Sequence, residues 1–171
     1  MSVTKYLVIG LFLVGCGTVD PNLDYESGKE IFEQYDVIKN PISLSVNDTM
    51  YVPIYSDIYS ETKHVKFLLT ATLSIRNTSL RDSIYIQKID YYDTFGKLVQ
   101  EYLDHTILLK PMQSIEYVVE EKDTAGGTGA NFVIYWGSNA TNLNPIFEGI
   151  MISTNGQQGI SFSTKGISIS D

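Results

Sequence analysis

Between Phe67 and Ile75 the chain alternates: Phe67, Leu69, Ala71, Leu73 and Ile75 are apolar, while Thr70, Thr72 and Ser74 are polar. Wound into a helix of 3.6 residues per turn, this run would scatter its apolar groups around the axis. Drawn out as a strand, it gathers them on one face. The segment therefore predicts a strand with one packed side and one mostly polar side, ended by Asn77-Thr78-Ser79. A one-sided strand needs a second layer to cover it, so the alternation constrains the whole architecture.

The same pattern recurs along the chain. Ile84 to Tyr92 reads as the next strand, and its apolar phase slips between Ile86 and Ile89, which predicts a bulge near Gln87-Lys88. Tyr91 to Val99 reads as strand, Gly96 turn and return strand. Ile107-Leu108-Leu109 runs into a turn at Lys110-Pro111. Ile115, Tyr117 and Val119 alternate, as do Phe132, Ile134 and Trp136, and Ile146 to Ser153 and Ile160 to Ser163 complete the set. Twelve tyrosines and seven phenylalanines add strand propensity. About eight or nine short strands predict an all-β fold, an antiparallel immunoglobulin-like β-sandwich, with a small closed β-barrel as the alternative.

The chain has one cysteine, Cys16, so no internal disulfide forms and packing alone holds the domain. Cys16 stands where the apolar run Tyr6 to Val14, preceded by Lys5, gives way to polar residues. That run is shorter than the roughly 20 residues a spanning helix needs, and its layout is that of an export signal. Leu13-Val14-Gly15-Cys16 resembles the lipobox of bacterial lipoproteins, in which the cysteine thiol receives a diacylglycerol and cleavage falls just before it. The expected organisation is a signal peptide over 1–15, a lipidated N-terminus and tether over 16–47, and the β-sandwich over 48–171. Within the tether, Ser27 and Glu30 predict a capped helical turn or two through Ile31, Phe32 and Tyr35. Two acyl chains give a stable membrane attachment where one gives a marginal one. The expected location is the bacterial cell envelope, facing the periplasm or the exterior.

The net charge of −8 becomes −9 once Lys5 is removed with the signal. An acidic chain without a basic stretch is unsuited to nucleic acid or to an anionic membrane surface. It suits a basic partner surface or a weakly held Ca²⁺.

Several runs occur together in a recognisable order. They are Met50-Tyr51-Val52-Pro53-Ile54-Tyr55-Ser56, Leu69 through Thr78, and Tyr91-Tyr92-Asp93 through Val99. Val118 through Thr124, Gly126 through Phe132, and Gly159-Ile160-Ser161-Phe162 follow. Over about Met50 to Gly166 these resemble a family of bacterial lipoproteins classed as a domain of unknown function. The resemblance implies a lipoprotein and brings no assigned activity or site residue.

The chain carries few motifs of known chemistry. His64 and His105 belong to no HExxH arrangement, and no GxSxG elbow occurs. Ser60-Glu61-Thr62-Lys63 matches SxxK but lies between strands, where serine and lysine do not meet as they would on a helix. The stretch Gly126 to Asn131 lacks the Walker A lysine, and Phe132 replaces the third glycine of GxGxxG. The carboxylates just upstream would repel phosphate. Glu120, Glu121, Asp123 and Asn131 are instead the candidate binding residues, for a partner or a weak Ca²⁺, against the plainer reading of a solvated, mobile connection. Tyr51, Tyr55 and Tyr59 are weighed as a sugar platform against core filling, and Trp136 is read as core. No catalytic residue, metal site or cofactor is assigned. The expected function is non-catalytic binding of an envelope protein or glycan, with the lipid on Cys16 holding the domain to the membrane. The alternative is an envelope hydrolase whose residues converge only in three dimensions.

Overall fold

The structure, a computed structural model, describes residues 35–154 and 159–169. Thirteen strands are present there: β1 (Asp36–Ile38), β2 (Val46–Pro53), β3 (Asp57–Ser60), β4 (Val65–Leu68), β5 (Thr70–Arg76), β6 (Ile84–Tyr92), β7 (Leu98–Glu101), β8 (Thr106–Leu109), β9 (Ser114–Val119), β10 (Asn131–Ser138), β11 (Ile146–Ser153), β12 (Ile160–Lys165) and β13 (Ile167–Ser168). One sheet runs β1-β8-β6-β10-β2-β13, with β7 also paired to β6. The second runs β12-β11-β5-β9, and β3 and β4 form a separate hairpin. Every pairing is antiparallel. The fold is an antiparallel β-sandwich of two open sheets, not a closed barrel.

The alternation in the sequence becomes the core. Ala71, Leu73 and Ile75 of β5 meet Ile115, Tyr117 and Val119 of β9 across the pairs Ala71–Val119, Leu73–Tyr117 and Ile75–Ile115. From the facing sheet come Ile84, Ile86, Ile89 and Tyr91 of β6 and Phe132, Ile134 and Trp136 of β10, all buried. Burial of so many large apolar side chains is the main driving force of the fold, at about 25 cal/mol per Å² of apolar surface.

The bulge lies where the apolar phase slips. Lys88 pairs with Tyr135 but Ile86 pairs with Trp136, so Gln87 is the extra residue of β6. That single insertion returns both Ile86 and Ile89 to the core side.

Two expectations are corrected. The run from Phe67 to Ile75 is not one strand: Val65–Leu68 pairs with β3, Leu69 donates its N–H to Ser56 O at 2.9 Å, and Thr70–Arg76 then joins the other sheet. Side-chain period reports which face is buried, and it is blind to which neighbour the backbone finds. Secondly, residues 36–38, placed within the tether, pair with β8 as the edge of the larger sheet. Three residues are too few to show a period. Tyr35, expected on a helix, donates its hydroxyl to Ser114 O at 2.6 Å beside this strand. Cys16, the signal segment and the Ser27–Glu30 cap lie outside the described residues. No described helix is long and apolar enough to cross a membrane.

Strand register sorts the loops between two ends. Loops 77–83, 110–113 and 139–145 share one end, since Arg76 is level with Ser114 and Ile146, and Ile84 with Leu109. Loops 93–97 and 120–130 lie at the other, with residues 54–56.

Candidate functional site

The segment from Glu120 to Ala130 crosses from β9 in one sheet to β10 in the other. It opens with a tight turn. Asp123 donates its N–H to Glu120 O at 2.9 Å, and Asp123 Oδ1 accepts from Ala125 N–H at 3.0 Å. An aspartate side chain bonding the backbone two residues on fixes a turn without a strand partner. Next come Gly126 and a single 3-10 turn, Gly127–Gly129.

This glycine stretch is fastened to the body. Gly126 O accepts both the backbone N–H and the hydroxyl of Thr94, each at 2.9 Å, and Thr94 Oγ1 accepts Gly129 N–H at 2.9 Å. Gly127 O accepts from Ser56 N–H at 3.1 Å, and Ala130 O from Ile54 N–H at 2.9 Å. Below them Ser56 Oγ and Tyr91 Oη are 2.9 Å apart. The glycines are required on two separate grounds. Gly127 has φ 74°, in the left-handed region. A Cβ on Gly126 would stand 1.9 Å from Tyr91 Oη and 2.6 Å from Ala130 Cβ. The connection is thus a docked strap, which corrects its plainer reading as a mobile link.

An aromatic cluster underlies the strap. Tyr91 stacks on Phe132 at 5.2 Å, and Tyr102 packs against Phe132 at 5.7 Å and Tyr117 at 5.1 Å. Burial pushes the phenols of Tyr91, Tyr102 and Tyr117 upward from their ordinary pKa. The charge of Asp123 raises Tyr91 and Tyr102 further, while the bond to Ser56 pulls Tyr91 partly back. These groups stay neutral at physiological pH. They support the loop and are not poised to exchange protons.

The four candidate binding residues divide. Glu120 is exposed, and Glu121 and Asp123 are half-buried on the strap. Asn131 belongs to the sheet, level with Tyr92 on one side and Pro53 on the other. Among the described residues no three His, Cys, Asp or Glu side chains form a group that could hold a metal ion. A Ca²⁺ would need six to eight oxygens, and the strap's carbonyls at Gly126, Gly127 and Ala130 already accept hydrogen bonds.

The other candidates scatter. His64 is exposed in the β3–β4 turn, and His105 Nδ1 lies 2.8 Å from its neighbour Asp104. That contact holds the Asp104 carboxyl below its usual range. Ser60 ends β3 and Lys63 lies in the turn beyond, so the SxxK match has no helix under it. Tyr51, Tyr55 and Tyr59 make no common platform. Tyr51 is in β2, Tyr55 packs edge-on against Phe162 at 5.7 Å, and Tyr59 lies in the hairpin beneath Lys66 Nζ. Trp136 is core, 5.9 Å from Phe147.

Thr94, Ser56 and Tyr91 escaped sequence reasoning as the groups that fasten the strap. Asp93-Thr94-Phe95-Gly96 signals a turn, and nothing in it shows that the threonine bonds a loop some 30 residues on.

The geometry defines a class first, an all-β sandwich with a strapped, acidic loop at one end. The family follows from the sequence match: residues 47–169 fit the model described as a protein of unknown function, DUF3124, and the chain belongs to that family. No curated protein matches the chain. Among solved structures, one titled as the crystal structure of Thermotoga maritima 1070 is similar at 15% identity and a TM-score of 0.39. The similarity covers 70% of this chain and 92% of that one.

Proposed function

We propose that this chain is a lipoprotein of the bacterial cell envelope, held to its membrane by diacylglycerol on Cys16, that binds another envelope component, protein or glycan, without catalysis. The observation that carries the reading is the strap. Five hydrogen bonds with Thr94, Ser56 and Ile54 fix Gly126 to Ala130, and the adjoining turn that carries Glu120, Glu121 and Asp123 is closed by its own two bonds. Binding residues tend to sit on loops held by a rigid scaffold, and a pre-ordered loop loses little entropy on binding. The acidic character suits a basic or hydrogen-bond-donating partner.

The test is an affinity capture of the lipidated protein from its own membranes, with the anchor read by mass spectrometry. Cys16 is expected to carry the lipid as the first residue of the mature chain, and Cys16→Ser to leave an unlipidated precursor, since a hydroxyl forms no thioether. The double variant Glu121→Ala/Asp123→Ala is expected to lose the captured component while its melting temperature falls by no more than several degrees, since Asp123 also holds Ala125 N–H and one such bond is worth about 1 kcal/mol. A double variant that still captures every wild-type partner removes the strap from the reading.

A further inference from the structure

The end of the sandwich opposite the strap is built with equal care and shows apolar tips. Asn77, 3% exposed, donates from Nδ2 to Asp82 O at 2.8 Å, Leu109 O at 3.1 Å and Lys110 O at 3.0 Å. Its Oδ1 accepts Ser79 N–H at 3.0 Å. Met112 N–H bonds Ser79 O at 3.1 Å, and Thr78 Oγ1 reaches Asn144 O at 2.8 Å. Three loops are thereby locked together. On this rigid base Leu80 is 80% exposed and Met112 63% exposed. Arg81 and Lys110 lie beside them, both exposed, as is Asp82.

The chain comes into the sandwich at this same end. Tyr35 is bonded to Ser114 O, and Asp36 Oδ2 lies 2.9 Å from Lys110 Nζ. Residues 17–34 separate Tyr35 from Cys16, a span of at most roughly 60 Å even if fully extended. A lipid at Cys16 therefore keeps Leu80 and Met112 at high local concentration beside the bilayer, where weak apolar contacts suffice.

We infer that loops 77–83 and 110–113 rest on the lipid surface, Leu80 and Met112 entering the interface and Arg81 and Lys110 facing the headgroups. The inference rests on the proposed anchor at Cys16. The rival apolar tip is Phe95, 93% exposed at the other end. It stands between Thr94 and Gly96, with Leu98 and Val99 less exposed just beyond, in a turn that shares its end with Glu120, Glu121, Asp123 and Asp93 against Lys97 and Lys122. That excess of carboxylates disfavours contact with an anionic surface, whereas at the docking end Lys110 is balanced by Asp36 and Arg81 by Asp82. Seated on Leu80 and Met112, the domain turns its strap away from the membrane.

The experiment uses the full lipidated protein in vesicles of phosphatidylcholine and phosphatidylglycerol, with Leu80→Cys, Met112→Cys or Phe95→Cys carrying an environment-sensitive fluorophore. With the Cys16 sulfur in a thioether, the introduced thiol is the one that reacts. Labels at 80 and 112 are expected to shift to the blue and to be quenched at least two-fold by nitroxide lipids, while the label at 95 stays in water. Quenching at 95 equal to that at 80 and 112 overturns the orientation. The mass of the same sample separates the remaining failures. A protein that bears the lipid but keeps all three labels in water overturns the docking surface and leaves the anchor. A Cys16 without lipid overturns the anchor and the docking with it.

Discussion

The two ends of the sandwich solve one problem in different ways. At each, loops from both sheets must be held together without strand pairing. At the end near Tyr35, one buried side chain does this: Asn77 spends both amide protons and its carbonyl on backbone groups of its own loop and of the Leu109-Lys110 corner. At the far end the backbone of the strap comes down onto the body, which requires that no side chain intervene at Gly126. One end depends on a group that must be present, and the other on one that must be absent. The first device frees its loop tips to be apolar, the second frees its loop to be charged.

The comparison can be broken from the middle. Leu73 is fully buried between the ends, and Leu73→Ala is expected to cost about 2–5 kcal/mol in denaturant melts. Thr72→Ala, level with Val118 and Ile150 on the outward side, is expected to change stability by about 0.5 kcal/mol or less. Similar losses at both positions would mean that β5 does not divide the sheet into a packed and an open face.

Asn77→Ala should come next, at about 2–4 kcal/mol, because it leaves buried carbonyls without a donor. Asn77→Asp sharpens the reading: a carboxylate retains the acceptor for Ser79 but supplies no proton, so it is expected to destabilise comparably. A neutral result for either variant would show that the loops hold one another without this residue.

Gly126→Ala is expected to cost about 1–3 kcal/mol, the usual range for overpacking. Its Cβ overlaps the Tyr91 hydroxyl, so the loss should shrink in the Tyr91→Phe background, where that oxygen is gone. Full additivity of the two changes would place the clash elsewhere.

The smallest effect is the dependence on alkaline pH. Folding raises the pKa of Tyr91, Tyr102 and Tyr117, chiefly by burial, so the unfolded chain releases those protons first. The stabilisation is therefore complete below about pH 10 and is lost as pH climbs through the higher native values. Tyrosinate absorbance should show a late-titrating group that vanishes on unfolding. Removing the strap's support with Tyr91→Phe should reduce that late fraction.

How much of this could be read beforehand depends on the range over which a signal acts. The facing of Leu73, the bulge at Gln87 and the Gly96 turn are all written within a few residues of themselves, and all can be read there. The break at Leu69, the strand at Asp36–Ile38 and the work of Asn77 are not. Asn77-Thr78-Ser79 has the composition of any turn, and only the arrival of Leu109 and Lys110 makes its amide structural. The candidate site divides along the same line. Its carboxylates and glycines stand out in the sequence, but Thr94, Ser56 and Tyr91 reach the strap through the fold alone. Asn131 looked like part of the loop because it follows it, yet the sheet claims it.

The pairing pattern also has a consequence in time. Strand β2 has β10 as its long partner, Val46 opposite Ser138, and β5 pairs with β9 and β11, Arg76 opposite Ser114 and Ile146. Only hairpins such as β3–β4 and β11–β12 close locally. Chains dominated by distant pairings fold in milliseconds to seconds rather than microseconds, because long loops must close before any contact rewards them. Strands β2 and β5 emerge early and must wait, unpaired and adhesive, until residues beyond 114 and 131 have appeared. No disulfide is available to hold a partial structure in the meantime. Such a nascent chain is expected to depend on a holding chaperone until its last strands arrive.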